Sequence, residues 1–250
     1  MSTPVSPEVV VHEDASTPAG AVANRLLERI EEARGRGEMP HIGLTGGTIA
    51  DAIHREVARR APDSTVDWSR VVFWWGDERF VPASSADRNA GQARAAFPDQ
   101  LPVDPANVHE VPASDRAASV EESAAAYSAT MRSEGAGFFE VLMLGVGPDG
   151  HIASLFPGHP GPDATDEIAI AVHDSPKPPP LRVSLTFEAM DRARAVWFPV
   201  SGAEKATAVA AAVTTPASAG GSRHEIPARG VVGTEETVWL IDAAAASELP

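Results

Sequence analysis

Four groups of residues in this sequence combine side-chain types and spacing that can do chemistry. The first, Leu44-Thr45-Gly46-Gly47-Thr48, closes a short apolar run and opens an amphipathic one. Two glycines let the backbone approach a ligand closely, free N–H groups at a helix start favour an anion, and Thr45 and Thr48 add hydroxyls. The spacing fits a ligand-free strand-to-helix turn equally well, and with no Gly-Lys-Ser/Thr behind it this is not a Walker loop. The second group, Trp75-Gly76-Asp77-Glu78-Arg79, ends the most hydrophobic run in the chain. Ligands of open α/β sheets bind at the carboxyl ends of strands, so three charges there suit a site. A solvated ion pair just past a strand end is the plainer alternative.

The third group, Gly145-Val146-Gly147-Pro148-Asp149-Gly150-His151, matches G-x-G-x-x-G in form. A dinucleotide fingerprint needs a long helix behind its third glycine, whereas Pro157, Gly158, Pro160, Gly161 and Pro162 leave room for only about two turns. What remains is a Gly-rich strand end presenting Asp149 and His151, and a histidine so placed can act as a general base near neutral pH. The fourth group is cationic. Arg88 in Asp87-Arg88-Asn89, Arg182 behind a proline run and Lys205 at the start of an Ala-rich segment are candidates for holding an anionic substrate. Lys205 is the most informative of them, because a cation at a helix N-terminus opposes the macrodipole unless an anion sits there. The chain has no G-x-S-x-G elbow, no H-E-x-x-H and no EF-hand loop, so serine-esterase and metalloprotease chemistry has no support.

Short apolar runs and amphipathic segments alternate around these groups. Val9 to Val11, His41 to Leu44, Val71 to Trp75, Phe138 to Leu144, Ile168 to Val172, Ala195 to Val200 and Val238 to Ile241 read as strands. Val71 to Trp75 shows no polar alternation, as expected of a strand buried on both faces. Val22, Leu26 and Ile30 form a helical stripe, with Thr17-Pro18 as N-cap and N1 and with Gly35 and Gly37 as its stop. Ile49, Ile53 and Val57 form a second stripe. Ser119-Val120-Glu121-Glu122 is a capping box ahead of a third, made by Val120, Ala124, Tyr127 and Met131. Gly202 to Val213 reads as a fourth helix, and Pro157 to Asp163, Ser175 to Pro180 and Thr214 to Gly221 as loops. This alternation predicts a single α/β domain over residues 1–250, a mostly parallel open sheet with helices on both faces in the Rossmann-like manner.

Composition narrows the partners. Twenty Lys and Arg against 35 Asp and Glu leave a formal charge of −15, the opposite of the basic stripe that a nucleic-acid binder needs. Without cysteine there is no disulfide, thiolate nucleophile or Cys-ligated zinc. No apolar run approaches the roughly 20 residues of a membrane helix. Met1 to Val11 lacks a basic n-region and an apolar h-region, so a soluble cytoplasmic protein is expected, and the acidity favours a monomer.

With these blocks in place, the chain resembles the 6-phosphogluconolactonases of the glucosamine/galactosamine-6-phosphate isomerase superfamily. The likeness rests on Leu44 to Gly47, Gly76 to Arg79, Gly145 to Pro157, Pro179 to Thr186, Ser201-Gly202-x-x-Lys205 and Ile226-Pro227-Ala228-Arg229, in that order. The family's phosphate loop usually reads Leu-Ser-Gly-Gly-Ser-Thr-Pro; here Thr45 keeps the hydroxyl and Ala50 replaces the proline. The resemblance implies hydrolysis of 6-phospho-D-glucono-1,5-lactone to 6-phosphogluconate in the oxidative pentose phosphate pathway, with no metal or organic cofactor. It implies His151 as general base, Arg79 on the oxyanion, and Asp77 orienting the water, His151 or a substrate hydroxyl. The phosphate would rest on Thr45, Gly46, Gly47 and Thr48, neutralised by Lys205, Arg182 and Arg88. Glucosamine-6-phosphate deaminase/isomerase shares the Asp-Gly-His element and is the alternative. Its following stretch ends Asn-Glu-Pro, where this chain has Ser154-Leu155-Phe156-Pro157 and no carboxylate. A non-catalytic sugar-phosphate sensor is a third reading, without the DNA-binding module that such regulators carry.

Overall fold

In the computed structural model, which describes residues 7–13, 16–215 and 220–250, six apolar runs pair into one parallel sheet. Its strands are β1 (Glu8–His12), β2 (His41–Leu44), β3 (Val72–Trp75), β5 (Val141–Met143), β8 (Ala195–Val200) and β9 (Glu236–Asp242), in the spatial order β1-β9-β8-β5-β2-β3. Both faces are covered, which is why β3 carries no polar alternation. Phe73 and Trp75 pack into one apolar cluster, with Val22, Leu26, Ile30, Ile53 and Val57 from α1 (Ser16–Gly35) and α2 (Thr48–Arg60). Trp74 faces the other cluster, with Val120, Ala124 and Tyr127 of α4 (Val120–Glu134). Each of these helical stripes therefore packs as its spacing predicts, except that Ile49 and Met131 are only partly buried.

Several details differ from the sequence reading. Thr17 lies within α1, which begins at Ser16, one residue before the expected N-cap. The strand expected over Phe138 to Leu144 contracts to β5, preceded by Phe138, which lies under the Arg194 guanidinium at 4.2 Å. The capping box is offset: Ser119 Oγ accepts the Glu122 N–H at 3.2 Å, but the Glu122 carboxylate accepts from Ala118, one residue outside the usual position. Much of the loop expected over Thr214 to Gly221 lies outside the described residues, and Thr214 itself ends α6 (Ala206–Thr214).

A second, three-stranded antiparallel sheet was not legible from periodicity. It consists of β4 (Asp77–Arg79), β7 (Arg182–Leu185) and β6 (Ala169–Val172), in the order β4-β7-β6. A three-residue charged strand has no pattern to read, yet it places Arg79 directly opposite Arg182 and Asp77 opposite Ser184. Two short helices, α3 (Asn89–Ala96) and α5 (Phe187–Met190), complete the element order. Tyr127 ties α4 to the end of β3: its hydroxyl accepts the Trp75 N–H and donates to the Trp75 carbonyl, both at 2.9 Å.

Candidate active site

The carboxyl ends of β8, β5, β2 and β3 are neighbours on one edge of the parallel sheet. The chain leaves β2 for β3 on one side and returns to β5 on the other, which makes the β2–β5 boundary the point where strand order reverses. Ligand crevices of open sheets lie at such a point. A cleft of about 600 Å³ opens there, lined by the loops that follow all four strands. Another cavity, of about 430 Å³, is lined by His41, Trp74, Met131, Phe139 and Ile168, and contains none of the singled-out residues.

The Thr45–Thr48 loop forms one wall. Gly46 lies so close to Asn89 that a Cβ there would sit 1.9 Å from Asn89 Oδ1. Gly47, at φ +99°, starts α2 without any side-chain cap, so the first-turn N–H groups are left for a ligand. Thr45 Oγ1 accepts the Gly145 N–H at 3.1 Å, stitching this loop to the one after β5.

A buried carboxylate builds the next wall. Glu78 is wholly buried and accepts the N–H groups of Arg79, Asn89 and Ala90, each at 2.8 Å, joining β4 to the start of α3. Burial pushes its carboxyl up, against the pull of the Arg88 guanidinium 3.6 Å away and of these three N–H groups. On either side of it, Asp77 and Arg79 line the cleft. Asp77 accepts from Ser154 Oγ at 2.7 Å and from Asn89 Nδ2 at 3.3 Å, with Arg182 Nη1 at 3.7 Å. Arg79 donates from Nη1 to Asn89 Oδ1 at 2.6 Å and to the Asp87 carbonyl at 2.8 Å, while its buried Nε–H has no partner among the described residues.

The loop after β5 carries the histidine. His151 Nδ1 lies 2.5 Å from Asp149 Oδ1, and the ring packs on Phe156 at 4.6 Å between centroids. Burial raises the Asp149 carboxyl, but the hydrogen bond and charge of His151 outweigh it and hold the group at about 2. With Nδ1 engaged, Nε2 is the nitrogen left for the cleft. Gly147 makes room for the pair, since a Cβ there would fall 2.0 Å from His151 Nδ1.

Cations close the far side. Asp242 accepts from Ser201 Oγ at 2.6 Å and from the Gly202 N–H at 3.1 Å, fixing the turn that presents Lys205 at the start of α6. Burial lowers the Lys205 ammonium from the ordinary lysine value, Lys177 lowers it further, and Glu204 and Asp242 oppose both. No carboxylate lies within 4 Å of it among the described residues. Arg182 is buried and donates to the carbonyls of Pro179 at 3.2 Å and Lys177 at 3.0 Å, which leaves its charge on the cleft wall beside Arg79.

Residues 13–239 match the family model described as glucosamine-6-phosphate isomerases/6-phosphogluconolactonase. The chain belongs to this family. It is 42% identical to a 6-phosphogluconolactonase of Streptomyces coelicolor, over 98% of this chain and 95% of that one. It is 38% identical to a 6-phosphogluconolactonase of Mycobacterium tuberculosis, over 98% and 100%. Among solved structures, a 6-phosphogluconolactonase from Trypanosoma brucei superposes with a TM-score of 0.84 at 26% identity, covering 98% of this chain and 99% of the other. A monomeric glucosamine-6-phosphate deaminase shares the fold at a TM-score of 0.80 and 18% identity, covering 96% and 99%.

In this member of the family the cleft gathers Thr45, Gly46, Gly47, Thr48, Asp77, Arg79, His151, Arg182 and Lys205. Arg88 is a correction. It is buried at 2% exposure, paired with Glu78 and with Glu110 at 3.5 Å, and donates to the Val111 carbonyl at 2.8 Å, away from the cleft lining. Its charge is used to offset a buried carboxylate. The residue bonded to His151 is Asp149, so the option of Asp77 orienting the histidine gives way as well. Asn89, Ser154 and Lys177 were not singled out from the sequence. Asn89 adjoins Arg88 in Asp87-Arg88-Asn89, and it is the asparagine of that trio that lines the cleft.

Proposed function

We propose that this chain hydrolyses 6-phospho-D-glucono-1,5-lactone to 6-phosphogluconate, with His151 as general base. The observation that carries the reading is the Asp149-tied imidazole in one cleft with uncapped helix N–H groups, Lys205 and Arg182. Nε2 takes a proton from water as the water oxygen bonds to the lactone carbonyl carbon. Charge then develops on the carbonyl oxygen, which the guanidinium charge of Arg79 on the cleft lining stabilises. Collapse breaks the bond to the ring oxygen, which takes the proton back from Nε2. Asp77, held by Ser154, Asn89 and Arg182, is placed to orient the water or a substrate hydroxyl. The phosphate rests on the Thr45–Thr48 loop and is neutralised by Lys205 and Arg182.

The deaminase alternative needs a ring-opening carboxylate after the histidine, and Ser154 to Pro157 supplies none. NMR of lactone decay with and without protein, in EDTA, tests the reading: decay well above the buffer rate is expected, and decay equal to buffer overturns it. Ammonia release from glucosamine 6-phosphate would favour the deaminase. The same reading makes the chain a soluble cytoplasmic enzyme of one domain, in keeping with a water-soluble sugar-phosphate substrate. Among the described residues no helix is long and apolar enough to cross a membrane.

A further inference from the structure

Ile226-Pro227-Ala228-Arg229 lies outside the cleft lining, and none of its side chains has a part in the proposed reaction. We infer that this segment is a strut that sets the position of the His151 loop, and that Arg229 is the positioning residue locking it to α6. Only the kinetic readout of this inference rests on the lactonase reading above. The 147–151 loop is braced from within by two backbone bonds, Gly147 N–H to the His151 carbonyl and Gly150 N–H to the Gly147 carbonyl, both 2.9 Å. From outside, the Gly150 carbonyl accepts the Ala228 N–H at 2.9 Å. Gly150, at φ +81°, also lies against Ile226, whose Cγ2 would be 2.8 Å from any Cβ placed there. The strut therefore covers the one residue between Asp149 and His151.

The strut is itself anchored. Residues Pro227–Gly230 form a tight 3-10 turn, and the Arg229 side chain leaves it nearly buried, at 9% exposure. Arg229 Nη2 donates to the Ala211 carbonyl at 2.9 Å, and Nη1 lies 3.7 Å from Glu225. Ala211 is in the last turn of α6, where carbonyls lack helical partners and carry partial negative charge, a favourable seat for a guanidinium. The other end of α6 begins at Lys205. One line of contacts thus runs from the phosphate-facing helix through Arg229 to Gly150 and the imidazole, and fixes the span between base and phosphate seat. A misplacement of about 1 Å between reacting groups can cost ~10²-fold in rate, so this span matters to turnover.

The test compares Arg229→Met, Arg229→Lys and Ile226→Ala with the wild type in three measurements. These are kcat and KM for 6-phosphogluconolactone, thermal midpoint, and the His151 imidazole resonances of 15N-histidine-labelled protein, assigned by their loss in His151→Gln. Arg229→Met should lower kcat about tenfold, within the range expected of a displaced base, with KM changed less than about threefold. It should also move the His151 resonances. Arg229→Lys should recover most of both effects, and Ile226→Ala should reproduce them with Arg229 in place. A lowered midpoint with wild-type kcat and wild-type His151 resonances overturns the inference, as does a rise in KM at unchanged kcat. Should Arg229→Met not fold, Ile226→Ala decides by the same criteria. If the wild type does not hydrolyse the lactone, the functional reading fails and the resonances alone decide the strut.

Discussion

A histidine tied through Nδ1 to a carboxylate has one nitrogen left for proton transfer, and here that nitrogen belongs to the cleft. Removing the imidazole in His151→Ala should lower kcat by ~10²-fold or more while the fold survives, as expected for loss of a general base. Near-wild-type turnover in a folded His151→Ala variant would transfer the role to Asp77. In the proposed reading Lys205 serves the other end of the substrate. It has no carboxylate within 4 Å among the described residues, and burial and Lys177 both press against its charge, which a phosphate dianion would relieve. Lys205→Ala should therefore raise KM strongly and change kcat little, because contacts far from the reacting carbonyl are largely uniform binding. The same variant should lose the preference for the phosphorylated lactone over gluconolactone. Measuring KM for both substrates checks this, and an unchanged KM for the phosphorylated one removes Lys205 from the site.

Two elements convert packing into site geometry. Glu78 joins a three-residue strand to α3, so that Asp77, Arg79 and Asn89 arrive together. Helix α2 follows the Thr45–Thr48 loop and packs Ala50, Ile53, His54 and Val57 into the core, and this packing carries a pH dependence. His54 is fully buried in α2 against Phe97, 5.2 Å between ring centroids, and burial lowers its imidazole to about 4 despite Asp51. A lowered native value means that the unfolded chain binds the extra proton first. Stability is therefore full well above the ordinary histidine value of about 6.5 and is lost as pH falls from there towards 4. Between pH 7 and pH 5 the wild type should lose about 2 kcal/mol more unfolding free energy than His54→Leu. Urea denaturation at the two pH values checks this, and equal losses would show that His54 is not the proton acceptor.

At the scale of the whole molecule, a charge of −15 surrounds a cleft lined by Arg79, Arg182, Lys177 and Lys205. Long-range repulsion of a dianion is screened over a Debye length of ~8 Å at physiological ionic strength, so affinity rests on these directed contacts. Among the described residues the large apolar side chains left exposed are Val11, Met39 and Val232, which form no patch of the size that marks a stable interface. The expected species in solution is a monomer of 26.1 kDa. Sedimentation equilibrium checks it, and twice that mass at micromolar concentration would contradict it.

Much of this was legible before folding, wherever a local rule applied. The helical stripes of Val22 to Ile30 and Ile53 to Val57, the buried run ending at Trp75, and the glycines beside Thr45 and His151 are decided by backbone geometry and solvent over a few residues. Because parallel strands align their carboxyl ends, those same blocks were bound to meet on one edge once the α/β pattern was recognised. The partner of each charge was another matter. Arg88 and Asn89 are adjacent in sequence, yet one guanidinium is consumed by Glu78 and Glu110 while the amide joins Asp77 to Arg79. Arg182 meets Arg79 only because β4 and β7 pair, and Arg229 reaches Ala211 only because α6 lies beneath it. Sequence spacing determines which way a side chain leaves its own element; which charge it meets depends on elements brought together from as far as 211 residues away, as Arg25 and Glu236 are.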